Sequence, residues 1–359
     1  MNFRVVLNIN GFLLVINGIF MILGIGFSLY YGSDDIASLL ISGIITSLAG
    51  FAIWLFTKQK DTPDLGKREG YLIVSLGWIS MALFGAIPFI IYGAIPNYTD
   101  AFFEIMSGFT TTGSTILRDI EALPPGLLFW RSLTQWLGGM GIIVLSIAIL
   151  PLLGIGGMQL FAAEVPGVTK DKIHPRVKET AKRLWGIYVI LTAAETILLM
   201  AGGLNFFDAI NHAFTTMATG GFSTKNASIA HYTSPFVQYV FVIFMFFAGT
   251  NFTLHYLALH RNFSFIKNNT EFKYYLAFTI AATLFVLLVH LPKVDFHLEE
   301  AFRQSIFHVV SLTTTTGYVA SDYESWAPFS RMIFFALLFI GGCAGSTGGG
   351  IKFVRHILL

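Results

Sequence analysis

Thr110-Thr111-Thr112-Gly113-Ser114-Thr115 closes a short apolar run, and its pattern returns twice. Ala218-Thr219-Gly220-Gly221 is the second copy and Thr315-Thr316-Gly317-Tyr318 the third. Each places a glycine directly after a threonine. With Gly113, Gly220 and Gly317 taken as equivalent, the interval is about a hundred residues, which marks an internal repeat.

The chain around these copies is that of an integral membrane protein. Of 359 residues, 55% are hydrophobic and 12% charged, where a soluble domain carries about 25% charge. Mean hydropathy is +0.70. A formal charge of +2 without a basic stripe gives no reason to expect nucleic acid. One cysteine, Cys343, excludes an internal disulfide framework, and nine scattered histidines show no metal-ligand spacing. No nucleophile constellation stands out, so an enzyme is not expected.

A membrane span needs about 20 apolar residues. Candidates fall near 5–31, 36–57, 70–95, 126–153, 183–204, 234–259, 273–292 and 328–355. Shorter runs at 100–111, 206–217 and 298–313 precede the Thr-Gly copies and read as half-helices that enter and return. The expected fold is therefore all-α and integral to the membrane. Two accessory transmembrane helices (1–60) precede three units of helix, pore half-helix, filter loop and helix, at 61–155, 156–262 and 263–359. A proline opens each returning span and a glycine follows: Pro125 and Gly139, Pro235 and Gly249, Pro328 and Gly342. If the N-terminus is cytoplasmic, basic residues such as Lys58, Lys60, Arg68, Arg183 and Arg261 gather inside, as the positive-inside rule expects. All three Thr-Gly copies then lie in the outer half. The polar connection 155–182 carries Lys170, Lys172, Arg176 and Lys178, which either bind anionic lipid or a cytosolic partner, or simply set topology.

A half-helix ending inside a membrane presents unpaired carbonyls and about half a negative charge. Several such ends aimed at one axis, followed by loops of inward carbonyls, replace a cation's hydration shell. The expected ligands are backbone oxygens of Thr111, Thr112 and Gly113, of Ala218, Thr219 and Gly220, and of Thr315, Thr316 and Gly317. The ion is placed at Thr112, Gly113, Thr219, Gly220, Thr316 and Gly317. The final span is interrupted by Gly341-Gly342-Cys343-Ala344-Gly345-Ser346-Thr347-Gly348-Gly349-Gly350. Glycine costs about 1 kcal/mol per residue in a helix interior, so this stretch breaks the helix. It is read as a gate beneath the filter, the alternative being a packing kink. It is no phosphate loop, because Ile351 stands where that motif requires lysine. Glu195, in the middle of an apolar span, is either functional or paired with a neighbour. His212 and His308 fall on half-helices and read as packing or hydrogen-bonding residues.

Together, the three Thr-Gly loops, the proline-to-glycine returning spans and the 341–350 break resemble the Trk/Ktr/HKT superfamily of potassium transporters. Among these, the accessory helix pair is similar to the TrkH-type bacterial branch. The resemblance implies potassium transport across a bacterial inner membrane, with potassium as cargo and no organic cofactor. It implies one filter glycine per repeat and a gating loop at 341–350. It also implies a homodimer, lipid surroundings and a cytosolic nucleotide-binding regulatory subunit of TrkA type. The superfamily carries a fourth repeat, which has no counterpart within these 359 residues. Two rival expectations are a secondary carrier coupling potassium to protons or sodium, and a non-conducting scaffold for a nucleotide-sensing partner.

Overall fold

Long apolar runs without internal proline favour helices, because a helix alone satisfies its own backbone inside lipid. The computed structural model describes residues 2–58, 67–148 and 173–359. These form two compact units, one from the described residues up to Gly138 with 145–148, the other from Gly139–Val144 and Ile173–Leu359.

The first unit begins with α1 (Phe3–Leu23) and α2 (Ile25–Tyr31), which run as one apolar element, followed by α3 (Ile36–Thr57). α1 and α3 pack closely: a side chain at Gly18 would strike the Gly43 carbonyl oxygen and the Ser47 hydroxyl. Such backbone contact replaces the hydrophobic drive that lipid removes. Next come α4 (Lys67–Gly85) and α5 (Ile87–Tyr92), a single span over Arg68–Tyr92, then the half-helix α6 (Tyr98–Phe109). The Asn97 side chain caps α6 by accepting from the Thr99 amide at 3.0 Å. α7 (Pro125–Ala148) starts at its proline as expected.

In the second unit, α8 (Ile173–Ala201) leads to the half-helix α9 (Phe206–Met217), capped by Asn205 on the Asp208 amide at 2.7 Å. α10 (Pro235–Ala248) and α11 (Phe252–Leu259) follow, then the short α12 (Phe263–Asn268). α13 (Thr270–His290), the half-helix α14 (Leu298–Thr313), α15 (Pro328–Leu337) and α16 (Phe353–Leu358) complete it.

Five expected spans stand as long apolar helices, and Pro125–Ala148 extends to the last described residue of a sixth. Two differ. The span expected at 234–259 is broken, with α10 and α11 meeting at 105°. The Gly249 carbonyl is taken by the Cys343 amide at 2.8 Å, and the Asn251 side chain restarts the helix from the Thr253 amide at 2.8 Å. The span expected at 328–355 is helical only to Leu337 and again from Phe353. Helix already begins at Ile173 within the polar connection expected at 155–182. Lys60, Lys170, Lys172 and the proposed boundary at 155 lie outside the described residues.

Candidate functional site

Each half-helix stops in the same way. At its end the Thr111 amide bonds the Gly108 carbonyl at 2.9 Å and the Thr112 amide bonds the Ser107 carbonyl at 2.9 Å. Thr219 and Gly220 repeat this on Thr216 and Thr215, at 2.8 and 2.9 Å. Thr315 and Thr316 repeat it on Leu312 and Ser311, at 3.0 and 2.9 Å. This is the paired helix-stop in which one residue turns left-handed, a place normally given to glycine. Here threonine occupies it three times: Thr111 has φ 54°, Thr219 53° and Thr315 59°. A left-handed β-branched residue is a genuine outlier, and such strain costs about 1–2 kcal/mol per residue. Three equivalent outliers in one chain point to a shared function.

The geometry moves the second copy by one residue. After each strained threonine comes one further residue and then a positive-φ glycine: Gly113 (φ 78°), Gly221 (74°) and Gly317 (79°). Gly221, and not Gly220, is the equivalent of Gly113 and Gly317, while Gly220 matches Thr112 and Thr316. The alignment on Thr-Gly dipeptides missed this because the doublet Gly220-Gly221 fits either way. Aligning the first threonines, Thr111, Thr219 and Thr315, would have found it. In the first and third turns paired hydroxyls brace the backbone, Thr110 to Thr112 and Thr314 to Thr316, each at 2.8 Å. Ala218 and Gly220 leave the second turn without that brace.

The second and third turns meet within the second unit. A side chain at Gly221 would run into the Thr316 carbonyl oxygen. Tyr318, fully buried, reaches from the third turn to the Thr215 hydroxyl and the His212 carbonyl of α9, the latter at 3.2 Å. Beyond the turns, the Ala230 amide bonds the Val319 carbonyl at 2.9 Å.

An equivalent position lies behind each turn, and in the first two it hydrogen-bonds the segment that follows. Glu104, His212 and His308 each lie nine residues before the turn glycine (104 and 113, 212 and 221, 308 and 317). Buried Glu104 accepts from the Thr115 hydroxyl at 2.9 Å, the Ile116 amide at 2.8 Å and buried Arg131 at 2.7 Å. His212 bridges the Asp208 carbonyl at 2.7 Å and the Ser223 hydroxyl at 2.9 Å, with Phe241 edge-on at 5.7 Å. His308 bonds the Gln304 carbonyl at 2.8 Å and lies 5.9 Å from the Phe334 ring. Both histidines are thus the packing and hydrogen-bonding residues the sequence suggested.

The 341–350 stretch packs against the ends of α9, α10 and α14. The Thr347 hydroxyl lies 3.0 Å from the Met217 carbonyl and 3.2 Å from that of Ala248, both orphan acceptors at helix ends. The Gly349 amide donates to the Thr315 hydroxyl at 2.6 Å. The Phe252 amide donates to the Gly345 carbonyl at 3.2 Å, and Ile340 pairs with Ile351 to close the loop at its base. Glu195 is fully buried on α8 beside Thr216, and its carboxylate oxygens have no hydrogen-bond partner among the described residues. Thr216 turns its hydroxyl instead to the His212 carbonyl at 2.8 Å. No group of three or more metal-ligating side chains occurs among the described residues.

Spanning helices interleaved with half-helices that end in strained turns define a helical membrane protein. Its sequence matches the TrkH family of cation transport proteins over residues 36–294 and 294–359, and the chain belongs to that family. It is 42% identical over 367 residues to the Trk system potassium uptake protein TrkH of Escherichia coli K12, covering 100% of this chain and 75% of that protein. It is 39% identical to the TrkH of Halomonas elongata, again over 100% of this chain and 75% of the relative. The crystal structure of the potassium transporter TrkH from Vibrio parahaemolyticus superimposes with a TM-score of 0.89 at 36% identity, over 100% of this chain and 74% of that one. These relatives are transport proteins, not enzymes.

Proposed function

We propose that the chain conducts potassium through a filter built from the three strained turns. The observation that carries this is the threefold recurrence of a left-handed threonine followed two residues later by a left-handed glycine, each at the end of a half-helix. The ligands are backbone oxygens of Thr111, Thr112 and Gly113, of Thr219, Gly220 and Gly221, with Ala218 at the helix end, and of Thr315, Thr316 and Gly317. Such oxygens replace water around a monovalent cation, and the helix ends add partial negative charge. Potassium is the ion named for the relatives. The 341–350 loop gates the path from below, a role favoured by its bonds to Met217, Ala248 and Thr315. The reading extends to a bacterial inner membrane with the N-terminus cytoplasmic. It includes a homodimer and a cytosolic nucleotide-binding subunit of TrkA type, in keeping with the word "system" in the relatives' names.

Flux into liposomes tests the filter. Gly221→Ser should lower potassium-over-sodium selectivity by about tenfold or more, since displacing one filter carbonyl costs on the order of a hydrogen bond to a charged group. Gly220→Ser should matter less, because Gly220 does not adopt a positive φ. Equal selectivity in wild type and Gly221→Ser would sink the assignment.

One observation favours a coupled carrier instead: the fully buried Glu195, whose carboxylate oxygens accept no hydrogen bond of good geometry among the described residues. Carriers place ionisable groups at membrane depth. Uptake that collapses with the proton gradient at fixed voltage, and is spared in Glu195→Gln, would select that reading.

A further inference from the structure

The 341–350 loop carries many glycines and is nonetheless bonded to its surroundings at several points. Glycine-rich backbone loses more entropy on ordering than any other, so something outside the glycines must hold it. Besides the Thr347 and Thr315 hydroxyls, two charged side chains do so. Lys352, half-buried, donates its ammonium to the Gly348 carbonyl, and lies 3.3 Å from the Ser346 hydroxyl and 3.5 Å from the Ser346 carbonyl. Glu271, at the start of α13, accepts with one carboxylate oxygen from the Ala344 amide at 2.7 Å and the Val354 amide at 3.1 Å. The first of these amides lies inside the loop, just before Gly345, and the second lies two residues beyond Lys352.

We infer that Lys352 and Glu271 form a two-point latch that keeps the 341–350 loop seated under the second and third turns. Lysine supplies a compact charge on a flexible stem, able to satisfy converging oxygens at once. With the ammonium removed, the oxygens of Ser346 and Gly348 lose a charged donor, and the loop loses the only side chain that binds it from its C-terminal end among the described residues. Glu271 fixes the opposite margin and sets where the loop re-enters helix at Phe353. The latch rests on the gating reading for its effect on transport, but not for its effect on loop motion.

The chain contains its own reporter. Cys343 is the sole cysteine of the sequence, is fully buried, and lies inside the loop. A maleimide reaches it only when the loop leaves its seat. In liposomes, Lys352→Met should raise the Cys343 labelling rate about tenfold, the factor expected for loss of a hydrogen bond to a charged group. Glu271→Gln, which keeps an acceptor but not the charge, should raise it about threefold, as for a neutral bond. Size-exclusion profiles and helical circular dichroism should match wild type in both variants. Labelling as slow as wild type in both would overturn the latch. If labelling rises while flux stays unchanged, and deletion of 345–350 also leaves flux unchanged, the latch stands and the gate reading falls. If the deletion raises flux while Lys352→Met alters neither flux nor labelling, the gate stands and the latch falls.

Discussion

The first strained turn and the second are held by opposite chemistries at the same position. Glu104 anchors the first through a buried ion pair with Arg131, while His212 anchors the second through neutral hydrogen bonds and aromatic packing. Both reach a hydroxyl on the outgoing segment, Thr115 in one case and Ser223 in the other. What the fold requires is a buried acceptor or donor at that depth, and not a particular charge. The third turn carries the comparison further. Its His308 has Val319 where the others have a hydroxyl, and the Ser311 hydroxyl donates instead to the Tyr318 carbonyl at 2.7 Å.

The contrast is broken most directly by removing one charge. Glu104→Ala should destabilise the protein by about 3–5 kcal/mol, because the buried Arg131 loses the carboxylate that accepts from its Nε at 2.7 Å. The checking measurement is thermal unfolding in detergent. The double variant Glu104→Ala with Arg131→Met should recover most of that loss, since a buried pair exchanged for apolar groups is often close to neutral. If the double variant is no better than the single one, the anchor acts through the Thr115 and Ile116 bonds instead. His212→Phe keeps the ring but loses two hydrogen bonds, and should cost about 1–3 kcal/mol in the same assay. A loss as large as that of Glu104→Ala would erase the distinction. The smallest effect concerns the strain both turns share. Thr111→Gly should be neutral or stabilising by about 1 kcal/mol, because glycine accepts the left-handed angle without penalty.

Much of this was legible in the sequence. Half-helices expected at 100–111, 206–217 and 298–313 occur at Tyr98–Phe109, Phe206–Met217 and Leu298–Thr313, because short apolar runs bounded by capping residues leave little choice. The break at Gly249 was not legible. Pro235 to Leu259 is almost uninterrupted apolar sequence, and the 105° bend arises from a carbonyl taken by Cys343, far along the chain. The register of the second turn was misread because consecutive glycines carry no side chain to mark which one turns left-handed. Counting nine residues on from His212 would have resolved it. Glu271 gave no signal at all, since a single acid at the start of an apolar helix looks like any other first-turn carboxylate.

The glycines of the returning helices have a wider consequence. A side chain at Gly139 would press on the Ala218 backbone, and one at Gly249 on Thr314. Each is thus fitted to the end of the half-helix in the following repeat. Within the second unit, these two glycines therefore leave just the room that a half-helix end occupies. Enlarging either glycine would press on the chain one residue before a strained threonine, so the space left empty on one helix is a condition for the turn on another.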